Sequence, residues 1–232
     1  KIALSPLLGE LFIHRMLIEY MKLYPQVRIE ILHTDQKLDP IKDRIDVIIW
    51  VGHLPKANLI AKWFSNSWNM LFTSPEYLEK HGSPTDLNDL LNHRCIQLHP
   101  DQRLQWELHS KPQTKIISPS FVLNTNNFWL AREAAIAGQG IALLPVLLLG
   151  EDLREHRLVS ILPEWSDNDR SIYAIFPSRK LLAPQVRAFL DLLDRNKAKD
   201  LIAYHTPSLN DTKISNYLKK MSLSTPNLIF DF

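Results

Sequence analysis

The stretch Ala131–Leu153, AREAAIAGQGIALLPVLLLGEDL, changes character several times in a short span. Ala131 to Ala137 is rich in alanine and carries Arg132 and Glu133, a composition that suits a helix. Gly138 can take the left-handed conformation that ends one. Gly140 lets the backbone turn tightly and approach a neighbour closely. Ile141 to Leu144 is a short apolar run with no polar residue to face water, which reads as a buried strand. Pro145 cannot donate to a ladder but suits the first position of a new helix. Helix, tight turn, buried strand, helix is the repeating unit of α/β proteins.

The same logic extends in both directions. KIALS reads as a strand, and Gly9 to Tyr24 as a helix whose apolar positions exceed one face, so that it is expected to be covered on two sides. Pro25 ends it. VRIEILH (27–33) alternates as a half-buried strand, Asp39 is placed to cap a short helix through Arg44, and DVIIWVG (46–52) is a buried strand. This βαβαβ opening implies parallel strands joined by right-handed crossovers. NLIAKWF and WNMLFTS read as two strands separated by Ser65, Asn66 and Ser67. Ser74 caps a helix with Pro75 at its first position, and a short helix over Asp86–Asn92 leads into the strand RCIQLH. LQWEL, TKIIS and SFVLN follow as strands, then a helix from about Asn127 to Ala137. After the opening stretch come strands RLVSIL and SIYAIF and a helix over APQVRAFLDLLDRNKAK. The pattern predicts two α/β lobes, with residues 1–73 and 174–200 in the first and 74–173 in the second. The chain would cross near Thr73 and again near Ala174. Residues 201–232, rich in Ser, Thr, Asn and Pro, read as a tail with a short helix at Ile214–Met221.

Composition narrows the function. The 232 residues are 45% hydrophobic and carry a net charge of +2 with no basic stripe, which argues against direct nucleic-acid binding by this chain. No apolar run reaches membrane-spanning length and no signal peptide is read, so a cytoplasmic location is expected. The single cysteine, Cys95, excludes an internal disulfide. His93 and His99 flank it, and are read as the exposed flanks of a strand rather than as metal ligands. There is no phosphate loop, dinucleotide fingerprint or nucleophile elbow. No catalytic group, metal or cofactor is assigned, and the chain is not expected to be an enzyme. Lys1 lies inside a strand-like run, so the chain is expected to be a fragment or a processed product.

The segments DRIDVIIWVGHLPKANLIAKWFSNSWNMLFTSPEYLEKHGSPTDLNDLLNHRCIQL, NTNNFWLAREAAIAGQGIALLP and SIYAIFPSRKLLAPQVRAFLDLL resemble the effector-binding domain of LysR-type transcriptional regulators. Their order and spacing carry the resemblance across about residues 1–196. It implies a two-lobed, periplasmic-binding-protein-like fold of the type 2 class, with two crossover strands and a small-molecule cleft between the lobes. It also implies antiparallel homodimers, a tetramer of the full-length protein, and DNA contact only through an N-terminal winged helix-turn-helix absent here. A solute-binding protein of the same fold is the competing reading.

The cleft expected from the resemblance lies beyond the carboxyl ends of strands. Ser5 and Pro6 stand where the first strand meets the first helix, and a hydroxyl and helix amides there favour an anion such as a carboxylate. Thr34 ends the second strand and Trp50 lies near the end of the third. Asn124, Thr125 and Asn126 occupy the strand-to-helix turn of the second lobe, where they could also cap the helix. These are the candidate effector contacts. Many members of the family carry arginine where Trp50 stands, and an indole there favours an aromatic or apolar part on a small organic effector.

Overall fold

The computed structural model describes residues 1–9, 13–34, 36, 38–52, 54, 59–98, 104–110, 112–167, 170–177, 182–195 and 229–231. The chain divides into two compact units. The first holds Lys1–Ser67 and the segment that returns from Arg170, and the second is built on Trp68–Asp169.

In the first unit, β1 (Ile2–Leu4) leads through the short α1 (Pro6–Leu8) and α2 (His14–Leu23) to β2 (Ile31–His33), then β3 (Val47–Val51) and β4 (Ile60–Ser67). After the second unit come β12 (Arg170–Phe176), α6 (Pro184–Arg195) and β13 (Ile229–Asp231). The sheet order is β13-β4-β12-β3-β1-β2, with β1 parallel to both β2 and β3 and the remaining pairs antiparallel. The central parallel strands are apolar on both faces, as strands covered on both sides must be: Ile2, Ala3, Leu4, Val47, Ile48 and Ile49 are all buried. Helix α6 buries Val186, Phe189, Leu190, Leu192 and Leu193, each worth roughly 1.5–3 kcal/mol. Two polar contacts fix its position: the Tyr20 hydroxyl donates to the Gln185 carbonyl at 2.7 Å, and Lys62 pairs with Asp194.

The second unit contains β5 (Asn69–Thr73), α3 (Pro75–His81), a 3-10 turn at Asp89–Asn92 and β6 (Arg94–Leu98). A hairpin of β7 (Trp106–Ser110) and β8 (Gln113–Ile117) follows, then β9 (Ser120–Thr125) and α4 (Phe128–Ile136). It closes with β10 (Ile141–Pro145), a second 3-10 turn at Val146–Leu148, α5 (Gly150–Arg154) and β11 (Val159–Ser160). The main sheet runs β11-β5-β10-β6-β9, parallel across β10-β6-β9. The opening stretch lies at its centre. Gly138 has φ 68° and ends α4. A side chain on Gly140 would put a Cβ 2.6 Å from the Arg94 carbonyl oxygen on the neighbouring strand. Gly140 therefore serves the close passage of β10 against β6, and Gly138 the end of the helix.

Several expectations are corrected. The chain leaves the first sheet at Ser67 and rejoins it at Arg170, earlier than Thr73 and Ala174. Ser65 to Ser67 do not break a strand, because β4 runs on through Ser67 and stops at Trp68. Only the second half of 27–33 forms a ladder. Asp39 does cap, accepting from the Ile41 and Lys42 amides at 2.9 and 3.2 Å, but no helix follows; Arg44 turns to φ 52° and stops the turn. Pro145 ends its strand opposite Asn69 instead of opening the helix. Helix α2 is covered on one side only: Met16, Leu17 and Tyr20 are buried, whereas Ile18 and Met21 are more than half exposed. His93 is buried, not an exposed flank, and His99 lies outside the described residues. The helix expected at 214–221 also lies outside them, although β13 adds a strand antiparallel to β4.

Candidate functional site

The candidate residues form two rows, one in each unit. In the first unit, the parallel registers align Leu4 with His33 of β2 and with Ile49 of β3. The next residue along each strand is Ser5, Thr34 or Trp50, so the three stand side by side at the carboxyl edge of the sheet. The Thr34 amide donates to the Leu4 carbonyl at 2.9 Å and holds the row together. All three are half-buried, and Pro6 is exposed.

Ser5 is the N-cap of α1, with φ −65° and ψ 150°, and its Oγ accepts from the Leu8 amide at 3.4 Å. Its carbonyl accepts from the Leu8 and Gly9 amides. Pro6 has no N–H. Of the first-turn amides, only that of Leu7 is left for a ligand among the described residues. The attraction for an anion at this helix start is therefore smaller than a long helix would give, and the Ser5 hydroxyl proton becomes the main donor. Thr34 Oγ1 accepts from the Gln36 amide at 3.1 Å. Trp50 lies opposite Tyr173 of β12 and packs on a cluster of Ala3, Ile45, Ile48, Ala61 and Ile175, while part of the indole stays accessible.

In the second unit, β9 runs beside β6 with Asn124 opposite Gln97 and Thr125 opposite Leu98. The capping of α4 falls to Asn127, whose Oδ1 accepts from the Leu130 amide at 3.1 Å. Thr125 Oγ1 accepts in turn from the Asn127 amide at 3.0 Å. Asn124 and Asn126 are exposed and take no part in the cap, so their amide groups point to solvent at the carboxyl edge. Sequence reasoning overlooked Asn127. Its signal was a side-chain amide immediately before the first buried apolar residue, Phe128, which is the N-cap position.

The other polar clusters of the second unit are structural. Buried Asp152 accepts from Arg132 Nε and Nη2 at 2.7 and 2.5 Å, and Arg157 Nη2 lies 2.8 Å away. Burial opposes the charged form of Arg132, but the hydrogen bond and charge of Asp152 outweigh it and raise its pKa. The Tyr77 hydroxyl accepts from the Arg94 amide at 3.0 Å and contacts His93 Nδ1 at 3.2 Å. Burial pushes the Cys95 thiol up to about 12, which leaves it protonated and unreactive. Among the described residues no group of three or more His, Cys, Asp and Glu side chains could hold a metal ion.

Two α/β units with the chain passing between them twice, each presenting polar residues at the carboxyl edge of its sheet, define a protein of the periplasmic-binding-protein-like class. The chain belongs to the LysR substrate binding domain family, whose sequence model matches residues 1–198. It is 30% identical over 173 residues to the HTH-type transcriptional regulator CrgA of Neisseria meningitidis, covering 73% of this chain and 57% of CrgA. It thus spans little more than half the length of that curated relative. The regulatory domain of AphB from Vibrio vulnificus superposes with a TM-score of 0.73 at 33% identity, covering 84% of this chain and 95% of that one. The full-length structure of AphB, the Vibrio cholerae virulence activator, gives a TM-score of 0.77 at 29% identity, over 85% of this chain and 68% of that one.

Proposed function

We propose that this chain is the ligand-sensing part of a LysR-type transcriptional regulator, not an enzyme, acting in the cytoplasm and reaching DNA through an N-terminal helix-turn-helix domain. The observation that carries the reading is the family match over residues 1–198. The effector is a small organic molecule, with a carboxylate met by the Ser5 hydroxyl and the Leu7 amide. Its apolar body lies towards Trp50, with Thr34 beside it, and Asn124, Thr125 and Asn126 are the candidate contacts that the second unit carries by itself.

Self-association belongs to the same reading. Helix α2 exposes Ile18 and Met21 in the unit whose sheet ends at edge strand β2, and α4 exposes Trp129 and Leu130 beside the edge strand β9. Two exposed helix-and-edge surfaces on one chain suit an antiparallel, two-fold pairing that sets one against the other. The test is a thermal-shift screen of aromatic and aliphatic carboxylates against the chain, with light scattering in parallel. A saturable rise in Tm by one such compound and a dimer mass are expected. A monomer at all concentrations, or no response to any organic acid, would contradict the reading.

A further inference from the structure

Five strands of the first sheet carry aligned rows of side chains across it. Register sets Leu32 of β2, Ala3 of β1, Ile48 of β3, Ile175 of β12 and Ala61 of β4 side by side. These residues share a face and pack as one apolar cluster. Side chains alternate between faces, so the residues two positions nearer the carboxyl end of β1 share that face too. They are Thr34, Ser5, Trp50, Tyr173 and Trp63. Trp50 stands opposite Tyr173, and Tyr173 opposite Trp63. The irregularity in the β12–β4 ladder falls beyond Tyr173 and leaves this row in register. Burial changes from one row to the next: Ala3, Ile48, Ile175 and Ala61 are buried, whereas all five residues of the second row are half-buried. Trp50 and Tyr173 pack on the buried row and keep part of their surface accessible. Across the sheet the second row therefore reads as two hydroxyls followed by three aromatic rings.

We propose that the effector is an aromatic acid with two linked or fused rings, laid across Trp50 and Tyr173, and that Tyr173 sets this preference. The inference rests on the reading that the carboxyl edge of the first sheet receives an organic acid at Ser5. Neighbouring strands lie about 4.7–4.9 Å apart, which puts Trp50 about 5 Å and Tyr173 about 10 Å from Ser5 across the sheet. An acid with one ring reaches Trp50 and stops there. A second ring is needed to meet Tyr173, and Trp63 extends the row by one strand more. Flat rings on flat rings combine apolar burial with offset or edge-on stacking, without any polar group to satisfy. The sequence hid the row because Trp50, Trp63 and Tyr173 lie on three strands, two of them adjacent only through the return of the chain at Arg170.

The experiment is calorimetric titration of the whole 232-residue chain with benzoate, biphenyl-4-carboxylate and the neutral biphenyl-4-methanol. The same titrations are run on Tyr173→Leu, which keeps an apolar side chain, and on Tyr173→Phe, which keeps the ring. Circular dichroism melts confirm that both variants fold. The wild-type chain is expected to bind the two-ring acid about tenfold more tightly than benzoate, the worth of one stacked ring. That advantage should disappear in Tyr173→Leu and persist in Tyr173→Phe, with benzoate binding the same in all three chains. Equal binding of the one-ring and two-ring acids, or an advantage that survives in Tyr173→Leu, would overturn the inference and leave the carboxylate reading standing. Binding of the neutral alcohol as tight as that of the acid, and lost in Tyr173→Leu, would support the aromatic row and remove the carboxylate from the account. No binding of any of the three compounds would overturn both.

Discussion

The two units share an edge of polar residues but differ in the polar side chains they enclose. The second encloses them: Asp152 between two guanidiniums, Asp167 against the amide and side chain of Asn69 at 2.6 and 2.9 Å, and His93 against Tyr77. The first carries them at its carboxyl edge and on its surface, as with Ser5, Thr34 and the neighbouring rings of His14 and His33. Enclosed groups must be fully partnered, so they specify the fold and leave little for a ligand. Surface groups are already solvated and can exchange water for a ligand at small cost. The glycines repeat the contrast. Gly140 gives room to a backbone carbonyl, which cannot move, whereas Gly9 gives room to the exposed rings of His14 and His33, which can.

Substitutions sharpen this contrast, and the largest effect is expected at Asp152. Its replacement by alanine removes the buried carboxylate and leaves half-buried Arg132 with only the exposed Glu133 as a partner. Breaking a buried pair in this way costs roughly 3–5 kcal/mol, read as a lowered urea midpoint. Next comes Gly140→Ala. The new methyl meets the Arg94 carbonyl at 2.6 Å and forces β10 from β6, a loss of about 2–3 kcal/mol. Gly9→Ala, by comparison, should change stability by no more than about 1 kcal/mol, since helix propensity favours it and only exposed rings must shift. Equal losses at the two glycines would erase the distinction drawn between the units.

A smaller effect follows acidification. Burial, reinforced by nearby His81 and opposed by Asp89, lowers the His93 pKa from its ordinary 6.5. The unfolded chain then binds more protons than the folded one between the depressed value and about pH 6.5. The His93 contribution is complete above that range and is lost as pH falls through it. Urea midpoints should drop between pH 7 and pH 5, and by less in His93→Gln, which keeps an acceptor for Tyr77 but does not titrate. An equal drop in the variant would assign the acid sensitivity to other groups.

Much of this was legible in the sequence because local signals and the fold agreed. Ser74 followed by Pro75, the apolar run Ile141–Leu144 and the run SFVLN each had one sensible reading, and the structure follows it. Reading failed where tertiary context overrode local chemistry. Ser65 to Ser67 look like a break, yet β12 pairs with β4 along this stretch and keeps it extended. His93 looked like a polar flank, but Tyr77, sixteen positions earlier, supplies the partner that lets it be buried. For the candidate site, the row Ser5–Thr34–Trp50 followed from the parallel opening alone, since strand ends in parallel register must align. The division of labour among Asn124 to Asn127 did not, because several adjacent residues could cap one helix and only geometry selects Asn127. The aromatic row was invisible, because only strand register links positions 50, 63 and 173.

The most direct test of the central claim, that the carboxyl-edge residues receive an organic acid, is calorimetric titration with the effector found in the carboxylate screen. The wild-type chain, Ser5→Ala and Trp50→Ala are compared. A hydrogen bond to a charged group is worth roughly 1.5–3 kcal/mol, so Ser5→Ala should bind about ten- to a hundredfold more weakly. Trp50→Ala should lose affinity for effectors with aromatic or bulky apolar bodies more than for compact ones. Unchanged affinity in both variants would contradict the account and move the effector away from this edge.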